Sequence, residues 1–291
     1  MRNKFNKNIF IWVIFIVLTV YVLSMCVLFL WSFVSSFKSR INFVEDPIGF
    51  PTKWMFSNYS KAFSEIKVLI PDGDGVKYVR IFEMILNSLL YSIGCTLISV
   101  FTICIMAYAV ARYNYKMSKI IYSIVIIAMI LPIVGALPSK IQIVKALGLY
   151  NSLIGLYIMN ASFLGLYFLI FYAQFKSFDK GYSEAAFVDG ASHYTVLFKI
   201  MMPLVMTTFY VICLLQFIDY WNDYMTPLIF LSSRPTLAYG LLEYQLSNAN
   251  GVDSVPMKLA GCMILTLPIL VLYLLFQDKM MGNLTVGGLK G

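Results

Sequence analysis

Six apolar runs, each near or above the roughly 20 residues that a bilayer core requires, constrain this chain more than any other feature. They cover about 9–34, 82–111, 119–138, 153–175, 204–231 and 257–277. With 60% hydrophobic and 12% charged residues and a mean hydropathy of +0.80, the chain is far from the roughly 25% charge of a soluble domain. In hydrocarbon every spanning segment must satisfy its own backbone hydrogen bonds, and runs of this length fit helices, not barrel strands. The expectation is an all-α, polytopic membrane protein with six transmembrane helices, forming one domain over 1–291.

The flanking charges orient these spans. The first residues carry Arg2, Lys4 and Lys7, and the turn after the second run carries Arg112, Lys116 and Lys119, with no acid in either segment. By the positive-inside rule the N-terminus, the 112–118 turn, the 176–203 loop and the C-terminal tail face the cytoplasm. The first external loop, about 35–81, votes weakly, because seven basic residues there face five acids. The formal net charge of +8 sits in tails and loops beside apolar spans, so it reads as membrane topology and excludes a nucleic-acid footprint. All five cysteines lie in apolar runs without C-x-x-C spacing, which makes them packing residues. Leu23-Ser24-Met25-Cys26 approaches a lipoprotein cleavage box, but the run continues to Val34 and reads as an uncleaved first helix.

Pro132, Pro227 and Pro268 mark expected local breaks in the helical ladder. External loops are expected at about 35–81, 139–152 and 232–256. In the first of these, Pro71-Asp72-Gly73-Asp74-Gly75 lacks the twelfth-position Glu of a calcium loop and reads as a turn.

The loop at 177–203 carries the most specific pattern. Glu184 through Asp189 reads as a short helix that Gly190 ends, and Leu197, Phe198 and Ile200 give the following segment an apolar side before Pro203 leads into the next span. Ala185 and Ala186 allow close approach of a partner, and Glu184 and Asp189 supply charge. The residues alone leave two readings open: a rigid handle for a partner, or an amphipathic helix lying on the membrane interface.

Glu184-Ala185-Ala186, Gly190, nine intervening residues to Ile200 and then Pro203 resemble the EAA loop of ABC-importer permease subunits. Asp189-Gly190-Ala191 is similar to the carbohydrate-importer form, with Met202 where Leu is usual. Three further stretches resemble the maltose-type permeases, in particular their smaller second subunit: Leu131-Pro132 to Gly148-Leu149-Tyr150-Asn151, Phe217 to Leu228 with Trp221-Asn222 and Pro227-Leu228, and the tail from Phe276 to Gly291. The resemblance covers roughly the last two-thirds of the chain.

What it implies is a type I ABC-importer permease fold in a bacterial plasma membrane. The implied function is import of a sugar or oligosaccharide, coupled to ATPase closure through alternating access. The implied partners are a second homologous permease, a cytoplasmic ATPase dimer and an extracellular solute-binding protein. Glu184 would be the charge contact with the ATPase, Gly190 the hinge, and the C-terminal tail a second contact. ATP and Mg would reside on the ATPase, with no cofactor and no metal on this chain. In the family the loop corresponding to 232–256 reaches toward the binding protein.

The remaining residues agree with a transport subunit and not an enzyme. The nearest approach to a Walker A, Gly282 to Gly288, has Gly288 where the phosphate-binding Lys must stand. The single histidine, His193, cannot assemble a triad or a metal pair and reads as a surface residue. Polar residues inside spans normally face a bundle interior or a water-filled path. Asn87, Asn160, Gln216, Asp219, Asn222 and Asp223 qualify, and with Trp221 all but Asn87 form the candidate substrate path. The competing reading of Trp221-Asn222, favoured here, is a kink and packing element near the outer face. An ion-gradient-driven secondary transporter would show inverted repeats and midplane carboxylates, and an intramembrane enzyme would show a nucleophile–base pair; neither signature is found.

Overall fold

A computed structural model describes residues 2–72, 75–113, 115–131, 135–247 and 253–281. The polypeptide divides into two compact units, one of Met1–Lys67 with Leu241–Leu267, the other of Val68–Gly240 with Pro268–Gly291.

The first unit begins with α1 (Arg2–Ser36), apolar on every face and exposed along Ile9–Leu30. A helix hydrophobic all round belongs in lipid or against another membrane helix. Its end is pinned by a small polar core. Lys38, wholly buried, donates from Nζ to the Asp46 carbonyl at 2.6 Å. Asn58 Nδ2 donates to the carbonyls of Ser36 and Lys38 at 2.8 and 2.9 Å. These bonds offset the cost of burying the ammonium and amide groups, and they fix α2 (Arg40–Glu45) and α3 (Ser57–Glu65). The Asp46 carboxylate accepts backbone N–H groups of Gly49 and Ile48; the Gly49 bond is the main reason its pKa lies below the usual value. The unit also holds most of α13 (Leu237–Leu246) and the start of α14 (Val255–Met281), with Tyr244 donating to the Met257 carbonyl.

The second unit is organised around α4 (Ile81–Arg112). One face of α4, through Val100, Cys104 and Ala107, packs with Phe168, Phe171 and Phe175 of α8 (Leu166–Ser177) and with Val205 and Phe209 of α11 (Met202–Asn222), all buried. Nearer its N-terminal end, Tyr91 and Cys95 pack with Leu156 of α7 (Leu153–Asn160). Gly94 permits that approach, since a Cβ there would overlap the Tyr157 ring; Tyr157 donates to the Leu90 carbonyl at 2.8 Å. Asn151, in the left-handed region at φ 57°, accepts at Oδ1 from the Ser233 N–H and hydroxyl, and its N–H donates to the Phe230 carbonyl. The Gly148–Asn151 stretch is thereby tied to the end of α12 (Met225–Phe230).

Among the described residues, four helices are long and apolar enough to cross a membrane: Ile9–Ser36, Ile81–Arg112, His193–Asn222 and Val255–Leu275. They match the first, second, fifth and sixth expected spans. The third and fourth are interrupted. Between 119 and 138 the helix α5 (Lys116–Ile130) is 15 residues long, about 22 Å at 1.5 Å per residue, and is followed by α6 (Leu137–Ala146). Pro132, the expected break, lies outside the described residues. The fourth run divides into α7 and α8 around 161–165, where Gly165 takes φ +131° and the Ser162 hydroxyl accepts from the Leu164 N–H at 3.3 Å. Such a break is stable at membrane depth only where protein covers it.

Other expectations shift as well. The fifth helix ends at Asn222 and restarts at Met225, so the break falls at Asp223–Tyr224; Pro227 sits in the first turn of α12, where its missing N–H costs nothing. Pro268 is carried inside a continuous α14. The fold is not wholly helical, because β1 (Lys67–Asp72) and β2 (Gly75–Arg80) pair in a two-stranded sheet. The intervening residues 73 and 74, the centre of the expected turn, lie outside the described residues.

Candidate functional site

The 177–203 segment is built from α9 (Gly181–Val188), a corner at Gly190 and a return leg. The corner is a complete Schellman motif: the Ala191 N–H donates to the Ala186 carbonyl at 2.9 Å, the Gly190 N–H to the Phe187 carbonyl at 3.0 Å, and Gly190 takes φ +78°. That left-handed conformation is the reason for glycine, since the space around its missing Cβ is open. Ser192 then caps the return leg by accepting from the Thr195 N–H at 3.2 Å.

The return leg is not a separate short helix. α10 (His193–Thr195) runs through a π-helical turn, Val196–Met201, directly into α11. The Met202 N–H donates to the Leu197 carbonyl, five residues back. Pro203, which has no N–H, stands just after this widened turn, where the ordinary ladder would lose a bond in any case. The corner is therefore joined by one continuous helix, His193–Asn222, to the apolar length of α11.

Arg112, at the end of α4, holds the other leg. Its guanidinium donates to the Phe178 carbonyl at 3.0 Å, the Asp179 carbonyl at 3.1 Å and the buried Ser183 Oγ at 2.6 Å. Tyr113 Oη lies 2.8 Å from His193 Nδ1, and the His193 ring stands against Phe187 at 4.9 Å. His193 is exposed, as expected, yet it bridges the two legs. Arg112 and Tyr113 entered the sequence reading only as a topology charge or not at all.

The expected contact residues split by face. Glu184, Ala185, Asp189, Gly190 and Pro203 are exposed, whereas Ala186 and Ile200 pack against the core around α4 and α8. Beside them the segment exposes Val188 at 87% and Tyr194 at 77%.

The candidate substrate path is less unified. Trp221 is buried to 1% and stacks on Phe217 with centroids 5.7 Å apart. Asp223 accepts from Tyr91 Oη at 2.9 Å and from the Thr226 N–H at 3.0 Å, joining the end of α11 to the start of α12. Asn160 donates to the Leu156 carbonyl. These three are engaged in stacking or hydrogen bonds within the unit. Asp219 and Asn222 remain exposed, Gln216 is half-buried, and Asn222 Nδ2 donates back to the Ile218 carbonyl one turn earlier. Asn87 donates to the Pro235 carbonyl at 3.1 Å. Among the described residues no cluster of His, Cys, Asp or Glu could hold a metal ion. The tail from 282 and the loop residues 248–252 lie outside the described residues.

Residues 83–280 match the family described as binding-protein-dependent transport system inner membrane component. The chain belongs to this family. Membership in this transport-system family supports a multi-pass inner membrane subunit and not an enzyme, and it argues against the secondary-transporter alternative. Relatives of this inner membrane component include the sulfoquinovosyl glycerol transport system permease protein of Agrobacterium fabrum, 29% identical over 90% of this chain and 88% of its own length. The trehalose/maltose transport system permease protein of Thermococcus litoralis is 28% identical over 90% of this chain and 91% of its length. The diacetylchitobiose uptake system permease protein of Streptomyces coelicolor is 24% identical over 89% and 82%. The fold is shared with a chain of a bacterial ABC transporter involved in import of the acidic polysaccharide alginate, at a TM-score of 0.76 and 20% identity, covering 94% of this chain and 97% of that one.

Proposed function

We propose that this chain is a permease subunit of an ATP-driven importer for a sugar or oligosaccharide, and that α9 with its Gly190 corner is the point where ATPase closure enters it. The observation that carries the reading is mechanical. A short helix is clamped by Arg112 on one side and runs through a glycine corner into one continuous membrane helix on the other. The carbohydrate names of the relatives support the substrate class.

In this reading the six spans are of type I ABC-importer form, with the third and fourth discontinuous, and both termini face the cytoplasm of a bacterium. Exposed Glu184 and Asp189 meet basic residues of a cytoplasmic ATPase dimer, Val188 and Tyr194 fill its groove, and ATP and Mg are held there. A second homologous permease completes the pore and an extracellular solute-binding protein delivers the sugar. Asp219, Asn222 and Gln216 are the path residues still available to a solute. Glu184→Lys and Gly190→Pro are expected to abolish uptake while the chain still inserts in the membrane. Wild-type uptake by both variants would overturn the coupling role.

A further inference from the structure

Where α4 ends, α5 begins and α8 ends, the second unit encloses a cavity of about 560 Å³. Four cations line it, Arg112, Lys119, Lys176 and Lys180, and no described carboxylate does. The Lys119, Lys176 and Lys180 side chains belong to exposed residues, and none of the four cations is in an ion pair with a described carboxylate. Glu184 shares only a smaller neighbouring recess with Arg112 and Lys180. One wall is aromatic: Tyr122 and Tyr172 lie with centroids 4.7 Å apart, and Lys176 Nζ stands 5.3 Å from the Tyr172 ring centre.

Four positive groups around one cavity call for an anion. Its position decides which kind. The cavity lies at the ends of apolar helices, the depth at which a phospholipid carries its phosphate. It opens into a groove that shares Tyr122, Tyr172 and Lys176 and continues over Leu169 and Ala173 of α8. Beside it α5 turns Ile120, Ile124 and Ile127 outward, each about half exposed, the i, i+4, i+7 stripe of a helix side that faces an apolar medium. A soluble phosphate would use the cations and leave the groove without purpose; a phospholipid uses both. Basic pockets between membrane helices are suited to anionic headgroups.

We infer that this cavity is a binding site for the phosphate headgroup of an anionic phospholipid, whose acyl chains lie in the groove between α5 and α8. The site is separate from the coupling role proposed above and holds for either leaflet. It also touches the same arginine that clamps α9, so an occupied site draws a negative phosphate toward the guanidinium holding that helix.

The test is native mass spectrometry of the full-length chain, titrated with phosphatidylglycerol and with phosphatidylcholine of the same acyl chains. Phosphatidylglycerol should be retained preferentially, and Lys119→Glu with Lys176→Glu should weaken it by roughly tenfold or more. The paired Lys→Arg variant should retain it. Equal retention of the two lipids by the wild-type chain, which requires no variant to fold, would overturn the site. Complete displacement of phosphatidylglycerol by millimolar inorganic phosphate would make it a soluble-anion site and overturn the lipid assignment. Loss of a co-purifying protein subunit from the Glu variant with unchanged lipid retention would reassign the lysines to a subunit contact.

Discussion

Arg112 ends α4 and spends its guanidinium on two carbonyls and a buried hydroxyl of the α8–α9 connection. Hydrogen bonds from a charged donor contribute about 1.5–3 kcal/mol each, so Arg112→Ala should free α9 from α4. Hydrogen exchange over 178–188 is expected to accelerate severalfold or more, with uptake reduced; unchanged protection would show that the clamp is not what orders the helix. Lys in its place should restore only part of the effect, because an ammonium cannot present a planar fork to three acceptors. Gly190 makes a separate demand. At φ +78° in open space, Gly190→Ala should cost about 1–2 kcal/mol at the corner, and Gly190→Asn less, since Asn tolerates the left-handed region better. Thermal unfolding of the three proteins should rank them Gly, Asn, Ala. The glycine was legible from sequence because its reason is local, a helix end followed by a new start. The arginine was not, because its partners lie 66 to 71 residues away and nothing in the local pattern distinguishes a clamping arginine from a topology charge.

The elements show the same division between local and distant causes. Unbroken apolar length located the four described helices long and apolar enough to cross a membrane, since hydrophobicity over 21 to 32 residues is sufficient to identify each. Where the chain breaks, length is misleading: 153–175 is long and mostly apolar, yet Gly165 and the Ser162 hydroxyl divide it. The joining of α10 to α11 was missed for the opposite reason. Pro203 reads as a helix start, but a π turn before it carries the helix through. Between α4 and α7 the separation is set by one missing Cβ. Gly94→Ala would push against the Tyr157 ring, and overpacking of this kind costs about 1–3 kcal/mol. Tyr157→Ala removes the obstacle along with the bond to the Leu90 carbonyl. The double variant should therefore be more stable than the sum of the single effects predicts, by a coupling of about 1 kcal/mol or more in a double-mutant cycle. Strict additivity in unfolding midpoints would mean the two helices are not held apart by this contact.

At the scale of the molecule, a transport component must be addressed from both sides of the membrane, and the two sides place different demands on their surfaces. The 177–203 segment, through which we propose that force passes, is held by the Arg112 bonds and the Gly190 corner. The 232–256 segment, on the side we assign to the outside, needs only to be recognised. It combines the helix α13 with the residues before α14, and Asp253 pairs with Arg40 at 3.1 Å. That pair is two-thirds exposed on the arginine side, so its own contribution is about 0–1 kcal/mol. Replacing Ser247–Asp253 with a Gly-Ser linker removes both the ion pair and whatever surface this stretch presents to a solute-binding protein, whereas Asp253→Asn removes the pair alone. If the stretch is the contact, the linker variant should lose stimulation of ATPase activity by the binding protein while basal ATPase activity and assembly persist, and Asp253→Asn should stay near wild type. Equal loss in both would trace the effect to the Arg40 pair within the first unit. Full stimulation of the linker variant would place the binding-protein contact elsewhere on the outer surface.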